Sequence, residues 1–147
     1  MTTLETLSAI DNATFLQKNE IADFLFEHLG KYGDPKEDIM KCLDYALDAG
    51  LQAGGFVILA RENGKIVGAL VMNKTGMSGY IPENILVYIA VDANQRGKGI
   101  GGKIMDLAIK MANGAVALHV EADNPARKLY ERLGFTNKYL EMRLTRK

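Results

Sequence analysis

A chain of 147 residues suits one domain, and its 48% hydrophobic and 24% charged residues lie in the ordinary globular range, which excludes a compositional case for disorder. Eighteen basic and eighteen acidic residues cancel, so no overall field draws the chain to nucleic acid or to an anionic membrane; a small-molecule or protein substrate is expected. Cys42 is the only cysteine, which rules out an internal disulfide and a cysteine-built zinc site and suits a reducing compartment. Met1 to Ile10 has no basic leader, and nowhere do the ~18 uninterrupted apolar residues of a membrane span occur, so a cytoplasmic location is expected.

From Thr14 to Leu29 the residues Phe15, Leu16, Ile21, Phe24, Leu25 and Leu29 recur at mostly helical spacing, predicting a helix from about 13 to 29 that stops at Gly30 and Gly33. Asp34 and Pro35 supply a cap and a first-turn proline for a second helix, whose stripe of Ile39, Leu43 and Leu47 runs to Gly50. Phe56 to Ala60 and Ile66 to Met72 are short apolar runs joined by Glu62-Asn63-Gly64-Lys65, and they predict a hairpin. After a loop with Gly76, Gly79 and Pro82, the unbroken apolar run Ile85 to Val91 predicts a strand covered on both faces. A helix through Ile104, Leu107, Ala108 and Met111 follows, ending near Gly114, then a strand from Val116 to Val120. Asp123-Asn124-Pro125 opens another helix, Gly134 closes it, and Phe135 to Leu144 can make a last strand. The alternation of strands and helices in the second half means an α/β fold with at least one parallel crossover, and no repeat or composition shift marks a domain boundary.

Between the buried strand and its helix lies Gln95-Arg96-Gly97-Lys98-Gly99-Ile100-Gly101-Gly102, with four glycines in six positions. Glycine permits backbone conformations closed to other residues and close approach of a ligand, and the helix start adds unpaired N–H groups and partial positive charge: an anion site. A tight turn without a ligand is the plain alternative. A Walker A loop fails, because Lys98 lacks a following Ser or Thr and a glycine six residues earlier. Gly97, Gly99 and Gly102 match the dinucleotide fingerprint, with Glu121 near the expected interval. Against that match, five residues, Asp92 to Arg96, separate the strand from it, and too little chain remains for a second mononucleotide half.

Arg96, Gly99 and Gly101 resemble the Q/R-x-x-G-x-G/A signature of the GNAT acetyltransferase superfamily, and Ile89-Ala90-Val91-Asp92 resembles the strand end that leads into it. Asn124-Pro125-Ala126-Arg127-Lys128-Leu129-Tyr130-Glu131-Arg132-Leu133-Gly134-Phe135 is similar to a second segment of that family, N-x-x-A-x-x-L-Y-x-x-x-G-F. The resemblance covers residues 56 to 144; ahead of it stand only two predicted helices, with no evident first strand. It implies one GNAT-like domain over residues 1 to 147, with a mixed, mostly antiparallel central sheet, a parallel strand pair that splays apart, and about four flanking helices.

The resemblance further implies an N-acetyltransferase that uses acetyl-coenzyme A as cosubstrate and transfers the acetyl group to a primary amine by direct attack. The loop amides of Arg96, Gly97, Lys98, Gly99, Ile100, Gly101 and Gly102 would hold the pyrophosphate, and backbone near Ile89 and Val91 would pair with the pantetheine arm. Asn124 would bond that arm or cap its helix. Tyr130 matches the position whose hydroxyl protonates the departing thiolate, the alternative being packing between helix and sheet. For the base that deprotonates the amine, His119 and Glu83 are both candidates, each with a plain alternative as a buried histidine and an exposed loop carboxylate; Tyr88 is a further candidate to orient the amine. Cys42 is expected in the core and not as a nucleophile. The acceptor could be a small amine or a protein amine, a homodimer is possible, and a binding domain that senses an acyl-coenzyme A without turnover is the alternative function.

Overall fold

Asn63 and Gly64 both take left-handed backbone, with φ of 52° and 80°. Two successive residues of that kind make the type I′ turn whose twist matches paired antiparallel strands, and here they join β2 (Gly55–Glu62) to β3 (Lys65–Lys74). The structure, a computed structural model, describes residues 1–48, 50 and 52–146. Around this hairpin a five-stranded sheet assembles in the order β1 (Thr3–Leu7), β2, β3, β4 (Asn84–Val91), β5 (Val116–Leu118). All neighbours are antiparallel except β4 and β5, which are parallel.

Helices cover both faces. Thr14 and Gln17 form a reciprocal capping box that starts α1 (Phe15–Leu29), and α2 (Lys36–Leu47) follows. Their apolar stripes, Ile21, Leu25, Ile39 and Leu43, pack on Val57, Leu59, Ala69 and Val71 of one sheet face. On the other face α3 (Ile100–Met111) sets Ile104 and Met105 against Ile58, Leu70 and Met72, and α4 (Arg127–Arg132) adds Tyr130. Gly68 lets α3 approach closely: a Cβ there would stand 2.8 Å from the Ile104 side chain. The expected mixed α/β class with four helices and one parallel pair is present.

Two expectations need correction. A first strand does exist. Its residues Thr3 to Thr6 lie exposed at the sheet edge, so their side chains carry no buried alternation to read; pairing with the free edge of β2 makes the strand. Conversely, no strand forms over 135–146 among the described residues. Leu140, Met142 and Leu144 alternate as strand residues do, but they are exposed, and alternation becomes a strand only when a partner supplies hydrogen bonds. β5 also ends at Leu118, two residues earlier than expected, and α4 begins only at Arg127.

Candidate active site

The register of β4 slips by one residue: Val71 pairs with Tyr88 but Met72 with Leu86, so Val87 is an extra, bulged residue. Accordingly, Val87 and Tyr88, consecutive in sequence, both face α1 and α2, whereas Leu86 and Ile89 face α3. On the other edge of β4 the pairing with β5 stops at Leu86 and Leu118. From Val87 to Val91 that edge carries no strand partner among the described residues, a parted stretch of ~13 Å at the usual rise per residue.

The bulge also decides which backbone groups face this opening. Asn84 N–H points toward β5, donating to Ala115 O at 3.1 Å, while Asp92 N–H points toward β3, donating to Val67 O at 2.9 Å. Strict alternation would put both on the same side, and the extra residue at Val87 reverses the sense. Ile89 and Val91 therefore aim their main-chain N–H and C=O into the opening.

At the upper end of the opening the chain turns through a short 3₁₀ segment, Ala93–Gln95, capped by Asp92, which accepts from Asn94 N–H at 2.9 Å. Gly97 and Gly99 then adopt φ of 88° and 78°, and α3 begins at Ile100. A Cβ added at Gly97, Gly99 or Gly102 would meet nothing within 4 Å, so the loop stands clear of the protein around its own backbone. The unpaired N–H groups of the first turn of α3, with the exposed Arg96 and Lys98 beside them, make a surface that could hold an anion. Lys98 Nζ donates to Gln95 Oε1 at 2.7 Å. Gly101 sits where α4 arrives: its added Cβ would lie 3.7 Å from both Leu129 and Val91.

Tyr130, on α4, is buried with its ring edge-on to Phe135 at 6.0 Å. Burial raises the pKa of its hydroxyl, which keeps the phenol protonated. Asn124 Oδ1 accepts from Ala126 N–H at 2.9 Å, so this side chain caps the turn into α4. His119, exposed, directly follows Leu118, the last residue of β5 that pairs with β4. Glu83 precedes β4 and is differently engaged: its carboxylate accepts from Gly79 N–H at 3.1 Å and Ala115 N–H at 2.8 Å. Those backbone donors lower its pKa, which weakens it as a base.

The structure adds polar residues that sequence reasoning missed. Asp34, expected as a helix cap, leaves that position to Pro35, and its Oδ2 accepts from the Tyr88 hydroxyl at 2.5 Å. Burial, then this hydrogen bond to Asp34, push the Tyr88 pKa up. Cys42 is largely enclosed and its thiol is pushed up to about 12 by burial, which matches a core residue and not a nucleophile. Its Sγ accepts from Asn73 Nδ2 at 3.4 Å, and Asn73 Oδ1, buried, has no partner among the described residues. Asn73 lines a cavity of about 300 Å³ together with Tyr45, Lys74, Met77, Ile85 and Val87. The one available signal was a polar residue ending the apolar run of β3.

A mixed sheet parted at a bulge beside a glycine-rich helix start is the arrangement of an acyl-group transferase domain. The acetyltransferase (GNAT) domain family matches residues 53–137, more than half of the chain, and the chain belongs to that family. Among solved structures, PH1933 from Pyrococcus horikoshii OT3 superposes with a TM-score of 0.71 at 26% identity, covering 97% of this chain and 93% of that one. The ribosomal-protein-alanine N-acetyltransferase from Brucella melitensis biovar Abortus 2308 shares the fold at a TM-score of 0.66 and 20% identity over 100% of both chains. An aminoglycoside acetyltransferase from an uncultured soil metagenomic sample, in complex with sisomicin, does so at 0.64 and 21%, covering 99% and 97%. A comparison with curated proteins finds no match.

Proposed function

We propose that the chain transfers an acetyl group from acetyl-coenzyme A to a primary amine. One observation carries this reading: main-chain groups of Ile89 and Val91 point into an unpaired strand edge that begins beside the open amides of Gly97 to Gly102. A long ligand with an anionic end fits that path, the cradle taking the diphosphate and the strand edge an amide-bearing arm. When bound, the thioester supplies the activated acetyl group.

The residues then divide the work. Arg96, Lys98 and the amides from Gly97 to Gly102 hold the anionic end, and the N–H groups of Ile89 and Val91 fix the arm. A main-chain N–H at the parting polarises the carbonyl, an electrostatic contribution that can amount to a few kcal/mol. Tyr130, protonated and shielded from water, donates its proton to the sulfur that leaves. The ammonium of the acceptor gives up its proton to His119, directly or through water, because the Glu83 carboxylate is occupied by two backbone donors and braces the loops before β4 and β5. Asn124 caps α4 through Oδ1 and keeps its Nδ2 donors for the arm.

Thermal shift with acetyl-coenzyme A and with NAD tests the binding half, since a ligand bound by the native state alone raises Tm. Acetyl-coenzyme A is expected to stabilise and NAD is not. Thiol release that depends on added amine tests the transfer half. Tight binding without any amine-dependent release would point to an acyl-coenzyme A sensor, and stabilisation by NAD would overturn the reading.

A further inference from the structure

Resting on the acetyl-transfer reading, we infer that the cavity lined by Asn73 and Lys74 is the acceptor pocket, and that it selects a small monoamine with an apolar body against polycations. The first support is position. Val87 contributes its side chain to the cavity and its backbone to the level where β4 and β5 part, so the pocket meets the opening at its closed end. An arm anchored at the glycine loop and laid along the parted edge ends there.

The second support is chemistry. The cavity is about 300 Å³, at the small end of ligand pockets. Met77, Ile85 and Val87 give it apolar walls, and the Tyr45 hydroxyl closes one side by donating to Lys74 O at 2.6 Å. No carboxylate lines it among the described residues, and Lys74, whose side chain alternates away from Asn73 to the other sheet face, presents its main-chain oxygen on this side. A second ammonium on the acceptor would lose its water there with no counter-charge to offset the loss. The contrast with a second cavity of about 300 Å³ is direct: that one carries Glu20, Asp23 and Glu27, yet it lies beside Asp92, past the C-terminal end of β4 and away from the bulge at Val87.

The third support is the orphaned carbonyl. Asn73 donates an amide N–H to Cys42 Sγ, and its buried Oδ1 has no donor among the described residues. Buried acceptors in folded proteins nearly always find a partner, and the amine of a bound acceptor supplies N–H groups. A site built to pair with such a group discriminates sharply against ligands that fail to fill it. Asn73 is thus a positioning residue for the acceptor, held by the neutral Cys42 thiol behind it.

The experiment compares kcat/KM for 2-phenylethylamine, spermidine and kanamycin under saturating acetyl-coenzyme A, with thiol release as readout. Wild-type protein is expected to use 2-phenylethylamine at least tenfold better than either polycation, and Met77→Glu, which sets a carboxylate in the lining, to narrow the gap for spermidine at least threefold. Asn73→Ala is expected to raise the KM for the amine about tenfold with the KM for acetyl-coenzyme A unchanged; Asn73→Ser serves the same purpose if the alanine variant does not fold. Equal or better use of spermidine or kanamycin, or Asn73 variants that leave the amine KM unmoved, would overturn the pocket assignment while the transfer reading stands. Absence of any thermal shift by acetyl-coenzyme A would sink both.

Discussion

The two faces of the sheet are built to different rules. Beneath α3 and α4 the chain depends on backbone: glycines at φ of 88° and 78°, a missing side chain at Gly68 that admits Ile104, and a helix start with open amides. Beneath α1 and α2 it depends on side chains from separate elements, with Asp34 reaching Tyr88, Cys42 reaching Asn73 and Tyr45 reaching Lys74. A common ligand can be met by a backbone geometry that few sequences permit, whereas an acceptor pocket of interchangeable side chains leaves no fixed spelling. The first face carries the motifs, and the proposed acceptor pocket on the second carries none.

This division can be broken by substitution. Gly99→Val forces a β-branched side chain into a left-handed position at the start of α3, and is expected to weaken acetyl-coenzyme A binding at least a hundredfold by calorimetry. Retained affinity would show that the loop amides do not bind the anionic end. Tyr130→Phe keeps the packing against Phe135 and removes the proton, so kcat is expected to fall about tenfold to a hundredfold while the Kd for acetyl-coenzyme A stays constant. Because burial raises the pKa of this tyrosine above its ordinary value of 10.0, the alkaline loss of activity assigned to it belongs above that pH. An unchanged kcat would leave Tyr130 a packing residue only.

Smaller effects sharpen the comparison. Glu83 has its pKa lowered from 4.5 by backbone donors, so its folded form binds a proton less readily than the unfolded chain. Its contribution to stability is therefore present above the unfolded value and lost as pH falls through the lower folded value. Glu83→Gln is expected to reduce Tm by a few degrees near neutral pH, and the difference from wild type should vanish in strong acid; a large fall in kcat with unchanged Tm would instead restore it as the base. Cys42 gives the smallest signal. With its thiol pushed up to about 12, it is expected to react with iodoacetamide at pH 8 far more slowly in the native protein than after denaturation, as mass spectrometry would report.

The helices, the hairpin and the buried strand were legible because each has a local cause: the stripe from Ile21 to Leu25, the Asn63-Gly64 turn, the apolar run into Val91. The candidate coenzyme site was legible for the same reason, since Gly97 to Gly102 and the segment around Tyr130 are each continuous in sequence. The strand at 3–7 and the expected strand at 135–144 were misjudged in opposite directions, because a strand exists by virtue of its partner and the pairing lies elsewhere in the chain.

By itself, then, the sequence determined the mixed α/β class and singled out the glycine turn before α3 and Tyr130 on α4 as site candidates, all of them consequences of residue type over short stretches. Only the tertiary structure decided that Val87 is a bulge, that Asp34 serves Tyr88 instead of a helix end, that Glu83 accepts from two backbone amides, and that Asn73 lines a cavity with a buried carbonyl that has no partner among the described residues. These depend on register and on contacts between residues tens of positions apart, which no local pattern encodes.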